Sequence, residues 1–160
     1  MRKFLTAKWR DLVMANYEVA PSVLKDLLPE YTKLDFHDGK CFVSLVAFMF
    51  LETRVLGVPV PFHVNFEEVN LRFYVVRETE VRRGVVFVKE IVPRRAIAAV
   101  ARIFYGEPYE AWKISHTKAK NELSYAWRKG DCVNGIKIEA CENLGVPREN
   151  SHGEFIIEHY

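Results

Sequence analysis

The chain has 160 residues, 49% of them hydrophobic, which sets its scale at one ordinary domain with a sizeable core. Its 23 Lys and Arg against 21 Asp and Glu leave a formal charge of +2, and the basic residues are dispersed, so the charge gives no footing for nucleic acid. The longest apolar run, "CFVSLVAFMFL", falls short of the roughly 20 apolar residues that a helix needs to cross a bilayer, which argues against a membrane protein.

The first predicted element is a strand, because "LVMANYEV" alternates, with Val13, Ala15, Tyr17 and Val19 on one side. "APSVLKDLLPEY" has a proline near its start and Val23, Leu24, Leu27 and Leu28 at helical spacing, which predicts a short helix. In "KLDFHDGKCFVSLVAFMFLETRVLG" the Asp38-Gly39 pair separates two apolar segments. Both residues tolerate positive φ, so a tight turn joining two paired strands is expected. "VPVPFHVNF" carries two prolines that cannot donate ladder hydrogen bonds, and reads as a loop or irregular edge.

"EEVNLRFYVVRE" alternates cleanly. Val69, Leu71, Phe73 and Val75 form a core face, while Glu68, Asn70, Arg72 and Tyr74 face either water or a polar cavity. "TEVRRG" turns the chain into "VVFVKEIV", a strand apolar on both faces apart from Lys89 and Glu90. Pro93 opens an alanine-rich helix, "RRAIAAVARIFY", which Gly106 and Pro108 close. "YEAWKISHT" and "LSYAWRKG" make a second hairpin around "KAKNE", with Trp112, Ile114 and His116 in one row and Leu123, Tyr125 and Trp127 in another. "GIKIEACENLGVPRENSHGEFIIEHY" adds a strand, a polar loop and a last apolar segment. The pattern is α+β, mainly antiparallel β, with a few short helices. A curved sheet, cone- or barrel-like, would resolve its unpaired edges.

Several stretches, "NYEVAPSVLKDLLP", "LDFHDGKCFVSLVAF", "FEEVNLRFYV", "GVVFVKEI", "AIAAVARIFYGEPY" and "GEFIIEHY", resemble the YqjF-like family, a bacterial domain of unknown function with the acetoacetate-decarboxylase-like fold. "FEEVNLRFYV" and "AVARIFYGEPY" are the most specific. The resemblance implies a cone-like antiparallel barrel whose interior can hold a small ligand. It also implies a further C-terminal portion beyond Tyr160, since family members usually continue there; residues 1–160 are expected to form a single domain without it. Acetoacetate decarboxylases carry a basic residue, a glutamate and an aliphatic residue, then, after a short gap, proline and two lysines, one of which forms a Schiff base. Lys89, Glu90, Ile91, Pro93, Arg94 and Arg95 follow a similar order, but the gap is shorter and both lysines are arginine. A guanidinium keeps its proton to a pKa above about 12 and cannot form an imine at neutral pH. The shared fold therefore does not carry that activity.

Lys89 is the amine in this stretch that could take over: held against Phe87 and Ile91, it would lose hydration and gain nucleophilicity. The plainer reading is a snorkelling lysine, or one ion-paired with Glu68 or Glu90. Glu68, Asn70, Arg72 and Tyr74 are the best polar constellation. They could orient a carboxylate or carbonyl ligand, or form a solvated strand face. Glu68 is the acid of that row and joins Lys89 as a catalytic candidate. Arg94 and Arg95, at a helix start, suit an anion, although at least one could simply face solvent; Arg102 reads as structural.

Histidines 37, 63, 116, 152 and 159 share no metal-ligand spacing with the cysteines, and Ser115-His116 lacks a nucleophile-elbow context. Trp9, Trp112 and Trp127, without a basic stripe, read as core or pocket lining. Cys41, Cys132 and Cys141 are an odd, widely spaced set, and no charged-then-apolar leader opens the chain, so the expected setting is reducing and cytoplasmic. Together these features predict a protein with a small-molecule pocket, possessing no metal and no cofactor, that binds or transforms a small carboxylate or carbonyl compound; homo-oligomers are left open. The alternative is a non-catalytic interaction module on a barrel scaffold.

Overall fold

A computed structural model describes residues 5–59, 61–80, 82–99, 106, 108–140 and 145–159. Its strands, in chain order, are β1 (Leu5–Val19), β2 (Thr32–Leu34), β3 (Cys41–Val55), β4 (Val58–Pro59), β5 (Phe66–Arg77), β6 (Arg82–Val92), β7 (Tyr109–Ala111), β8 (Lys113–Ala119), β9 (Glu122–Lys129) and β10 (Cys132–Glu139). The main sheet has the order β1-β3-β5-β6-β7, with β2 paired to β5 and β4 to β3. β6 and β7 run parallel, which makes the sheet mixed. A second, antiparallel sheet has the order β10-β9-β8. Strands dominate and the helices are short, as the α+β reading expects.

The turn at Asp38 and Gly39 forms as its chemistry dictates, with φ of 49° and 75° and two backbone hydrogen bonds between His37 and Lys40. The strand before it takes a different partner from the one expected. β2 pairs with β5, Leu34 opposite Val75, because Leu34 is buried in the same apolar cluster as Phe73 and Val75. The expected helix over residues 21–28 is instead two 3₁₀ turns, Pro21–Val23 and Lys25–Leu27. Leu24 is buried between them while Val23 and Leu27 are exposed, so no continuous apolar stripe exists to hold an α-helix.

After Pro93, residues 95–99 are helical; the remainder of the expected helix, including Arg102, lies outside the described residues. The expected hairpin around "KAKNE" forms, and its register sets Ile114 opposite Trp127 and His116 opposite Tyr125. The last apolar segment becomes a helix, His152–Ile157, capped by Ser151, whose Oγ accepts from the Glu154 N–H. Phe155 and Ile156 are its buried residues.

Contacts divide the chain into two compact units: 1–14, 46–70 and 89–141, and 15–45, 71–88 and 142–160. β1, β3, β5 and β6 each pass from one to the other along the chain. The first unit buries Val46, Phe48, Phe50, Phe66, Val92 and Ala98, with Ile97 and Tyr109 packed against them. The second buries Leu24, Leu34, Cys41, Phe73 and Val75. No helix among the described residues is long and apolar enough to cross a membrane.

Candidate functional site

β5 brings a row of polar side chains inside. Phe73 and Val75 lie in an apolar cluster, as the alternation predicts. The other row is not solvated: Glu68 and Asn70 are each 3% exposed and Arg72 is 2% exposed. Groups this polar are costly to bury without partners, so their hydrogen bonds define what the place can do. Glu68 Oε2 accepts from the Tyr109 hydroxyl at 2.9 Å, and its Oε1 accepts from Asn70 Nδ2 at 3.1 Å.

Tyr109 reaches this position through a non-local pairing. β7 lies parallel to β6 with Tyr109 opposite Glu90, and the Glu90 N–H donates to the Pro108 carbonyl at 3.2 Å. Glu90 is itself 2% exposed. Burial, followed by the charges of Glu68 and then Glu90, pushes the Tyr109 phenol far above its ordinary range. It therefore keeps its proton and acts as a donor. The Asn70 carbonyl oxygen, Oδ1, is buried with no hydrogen-bond partner. Glu68, Asn70, Glu90 and Tyr109 all belong to the first unit, as does the apolar cluster that Tyr109 packs against.

Lys89 sits in a different environment. Its side chain is 45% exposed, so it lacks the enclosing apolar surroundings that a desolvated nucleophile needs. The ion pair expected with Glu68 or Glu90 is made with Glu110 instead, at 2.7 Å, because the parallel register places Glu110 opposite Ile91. Lys129 Nζ and Trp112 Nε1 also donate to Glu110, each at 2.8 Å. These donors, Lys129 first and then Lys89 and Trp112, hold the Glu110 carboxyl down to about 2 from its ordinary 4.5. The cluster's contribution to stability is thus complete above pH 4.5 and is lost as pH falls from there through about 2. Urea denaturation across that range should show a slope that Glu110→Gln reduces; an unchanged slope would mean that the ion pairs contribute nothing.

Arg94 and Arg95 are exposed at the start of the helix, where the Arg94 carbonyl accepts from the Ala98 N–H at 3.1 Å. Arg72 is the next polar position after Asn70 on its strand face. No group of three or more His, Cys, Asp or Glu among the described residues could hold a metal ion. Tyr109 was absent from the sequence-based site because nothing in "GEPYEAW" announces a parallel pairing to β6. Glu90 is visible in the sequence as a partner for Lys89 and as part of the order shared with the decarboxylases.

The second unit has an open cleft of about 650 Å³, whose walls include Lys33, Asp35, Arg83 and Glu158. Arg83 bridges Asp35 and Glu158. Behind it, the buried His159 ring is fixed by Nδ1 donating to the Phe155 carbonyl at 2.6 Å and by Nε2 lying 3.1 Å from Asp35. This arrangement seats the helix His152–Ile157, and its charges are internally compensated.

Comparison with known proteins places this geometry in context. The chain is 30% identical over 125 residues to the uncharacterized protein YqjF of Bacillus subtilis (strain 168), an alignment covering 77% of this chain and 51% of YqjF. It therefore spans about half the length of that curated relative. Among solved structures it resembles acetoacetate decarboxylase from Legionella pneumophila, with a TM-score of 0.67 and 15% identity, covering 98% of this chain and 58% of the other. It also resembles the enduracididine biosynthesis enzyme MppR complexed with pyruvate, with a TM-score of 0.62 and 14% identity over 80% of this chain and 55% of that one. These likenesses establish an acetoacetate-decarboxylase-like fold. Residues 6–160 match the profile of DUF2071, described as an uncharacterized conserved protein, and the chain belongs to that family.

Proposed function

We propose that the protein binds a small carboxylate or carbonyl compound at the cluster of Glu68, Asn70, Glu90 and Tyr109, with Glu68 as its acid-base group. The observation that carries this reading is the burial of Glu68 at 3% exposure with its two oxygens held separately by Tyr109 and Asn70. Such fixed polar groups beside an apolar cluster are the usual composition of a small-molecule site. Pyruvate bound to a protein of similar fold supports the ligand class. Lys89 stands outside the proposed site because its amine is committed to Glu110. A reducing, cytoplasmic setting is part of the proposal. Cys41 and Cys132 are free thiols, which supports it; Cys141 lies outside the described residues.

Pyruvate titrated into the protein should give saturable binding that Glu68→Ala abolishes. No decarboxylation of acetoacetate through an imine is expected, because arginines occupy positions 94 and 95. Carbon dioxide release accompanied by borohydride trapping of substrate on a lysine would overturn that expectation. The alternative, an interaction module without chemistry, draws on the exposed Leu56 and Val58, at the turn between β3 and β4, and the exposed Phe62, after β4. Failure of small carboxylates and carbonyl compounds to bind would favour it.

A further inference from the structure

We infer that the ligand of this site is held through a hydrogen-bond donor of its own, a hydroxyl or amino group, received by the side-chain carbonyl of Asn70. The inference rests on the proposed small-molecule site and narrows its ligand class. Asn70 is 3% exposed and its amide is used in two unequal ways. Nδ2 donates to Glu68 Oε1 at 3.1 Å, while Oδ1 is buried without a partner. The Nδ2 contact also fixes the orientation of the amide. A flip would set Oδ1 against a carboxylate oxygen, two acceptors facing each other, so the unpartnered atom is the acceptor.

The Tyr109 hydroxyl beside this pair is directed elsewhere. Tyr109 retains its phenolic proton and donates it to Glu68 Oε2. The Asn70 atom left wholly without a partner is therefore a carbonyl oxygen, which a ketone or carboxylate cannot satisfy and a hydroxyl or amine can. A buried acceptor left unmade carries a desolvation penalty, and a ligand that fills it recovers that free energy as affinity. Sites built around a hydroxyl or N–H group accordingly discriminate strongly against analogues that lack it.

The test uses three acids with one carbon skeleton: lactate, alanine and pyruvate, which carry a hydroxyl, an ammonium and a keto group at the same carbon. Affinities are measured by calorimetry on the full chain. Lactate, alanine or both should bind about tenfold or more tightly than pyruvate, and Asn70→Ala should reduce the difference to less than about twofold. The preferred donor tells hydroxyl from amine. If Asn70→Ala does not fold, the side-chain carbonyl ¹³C resonance of Asn70 in the unaltered protein serves instead, and it should move with the preferred acid and stay in place with pyruvate. Pyruvate binding as tightly as both donors, or a preference unchanged in the variant, would overturn the inference while leaving the small-molecule site standing; an ordered water on Oδ1 would produce that result. If none of the three acids binds, the small-molecule reading falls and this inference with it.

Discussion

Truncating Phe73 to alanine should destabilise the protein by about 3–5 kcal/mol, the range for removing a large aromatic side chain from a close-packed core. Phe73 is fully buried and packs in one cluster with Leu24, Leu34, Cys41 and Val75, so the lost ring leaves a cavity that these four neighbours must share. Phe48→Ala in the cluster of the other unit should cost a similar amount. Because β1, β3, β5 and β6 each run through both units, the two variants are expected to shift one common transition. Tryptophan fluorescence reports on the first unit, which contains Trp9, Trp112 and Trp127, while far-ultraviolet circular dichroism reports on both. A loss under about 1 kcal/mol would contradict the packing account, and separate midpoints for the two probes would show that the units unfold independently.

Replacing Glu68 by glutamine should cost about 1–3 kcal/mol although the side chain hardly changes in shape. The carboxylate accepts from Tyr109 through one oxygen and from Asn70 through the other. A glutamine offers one oxygen and one NH₂ group, so one of those donors must face another donor in a place that water does not reach. On a solvated strand face the same change would stay within about 0.5 kcal/mol. Urea denaturation of the variant distinguishes the two, and a value inside that narrow band would remove the physical basis for treating the cluster as a built site. Pyruvate binding measured on the same sample shows whether the hydrogen bonds that hold the cluster also serve a ligand.

The difference between what could and could not be read beforehand follows the distance over which each interaction acts. Turn chemistry is local: Asp38 and Gly39 accept positive φ wherever they stand, and their turn was legible. The row Glu68, Asn70, Arg72 was legible for the same reason, since alternation along a strand depends only on neighbouring residues. Whether that row met water or the interior was not legible, because burial is decided by what the rest of the chain lays over it. Charge patterning along "VVFVKEIV" made Lys89 conspicuous and suggested an ion pair. Its partner, Glu110, is chosen by a parallel strand pairing across about twenty intervening residues, for which single-sequence periodicity carries no signal.

By itself, then, the sequence determined the mainly antiparallel α+β class, the turn at Asp38 and Gly39, the hairpin around "KAKNE" and the loss of the paired lysines that an imine-forming decarboxylase needs. Each of these is a property of residue type and near-neighbour spacing. Tertiary structure alone decided that β2 joins β5 rather than its hairpin partner, that Glu68 is held by Tyr109 and Asn70 while Lys89 is held by Glu110, and that the Asn70 carbonyl is left without a donor. Those outcomes depend on which apolar surfaces bury each other, a choice made by the summed contacts of segments far apart in the chain.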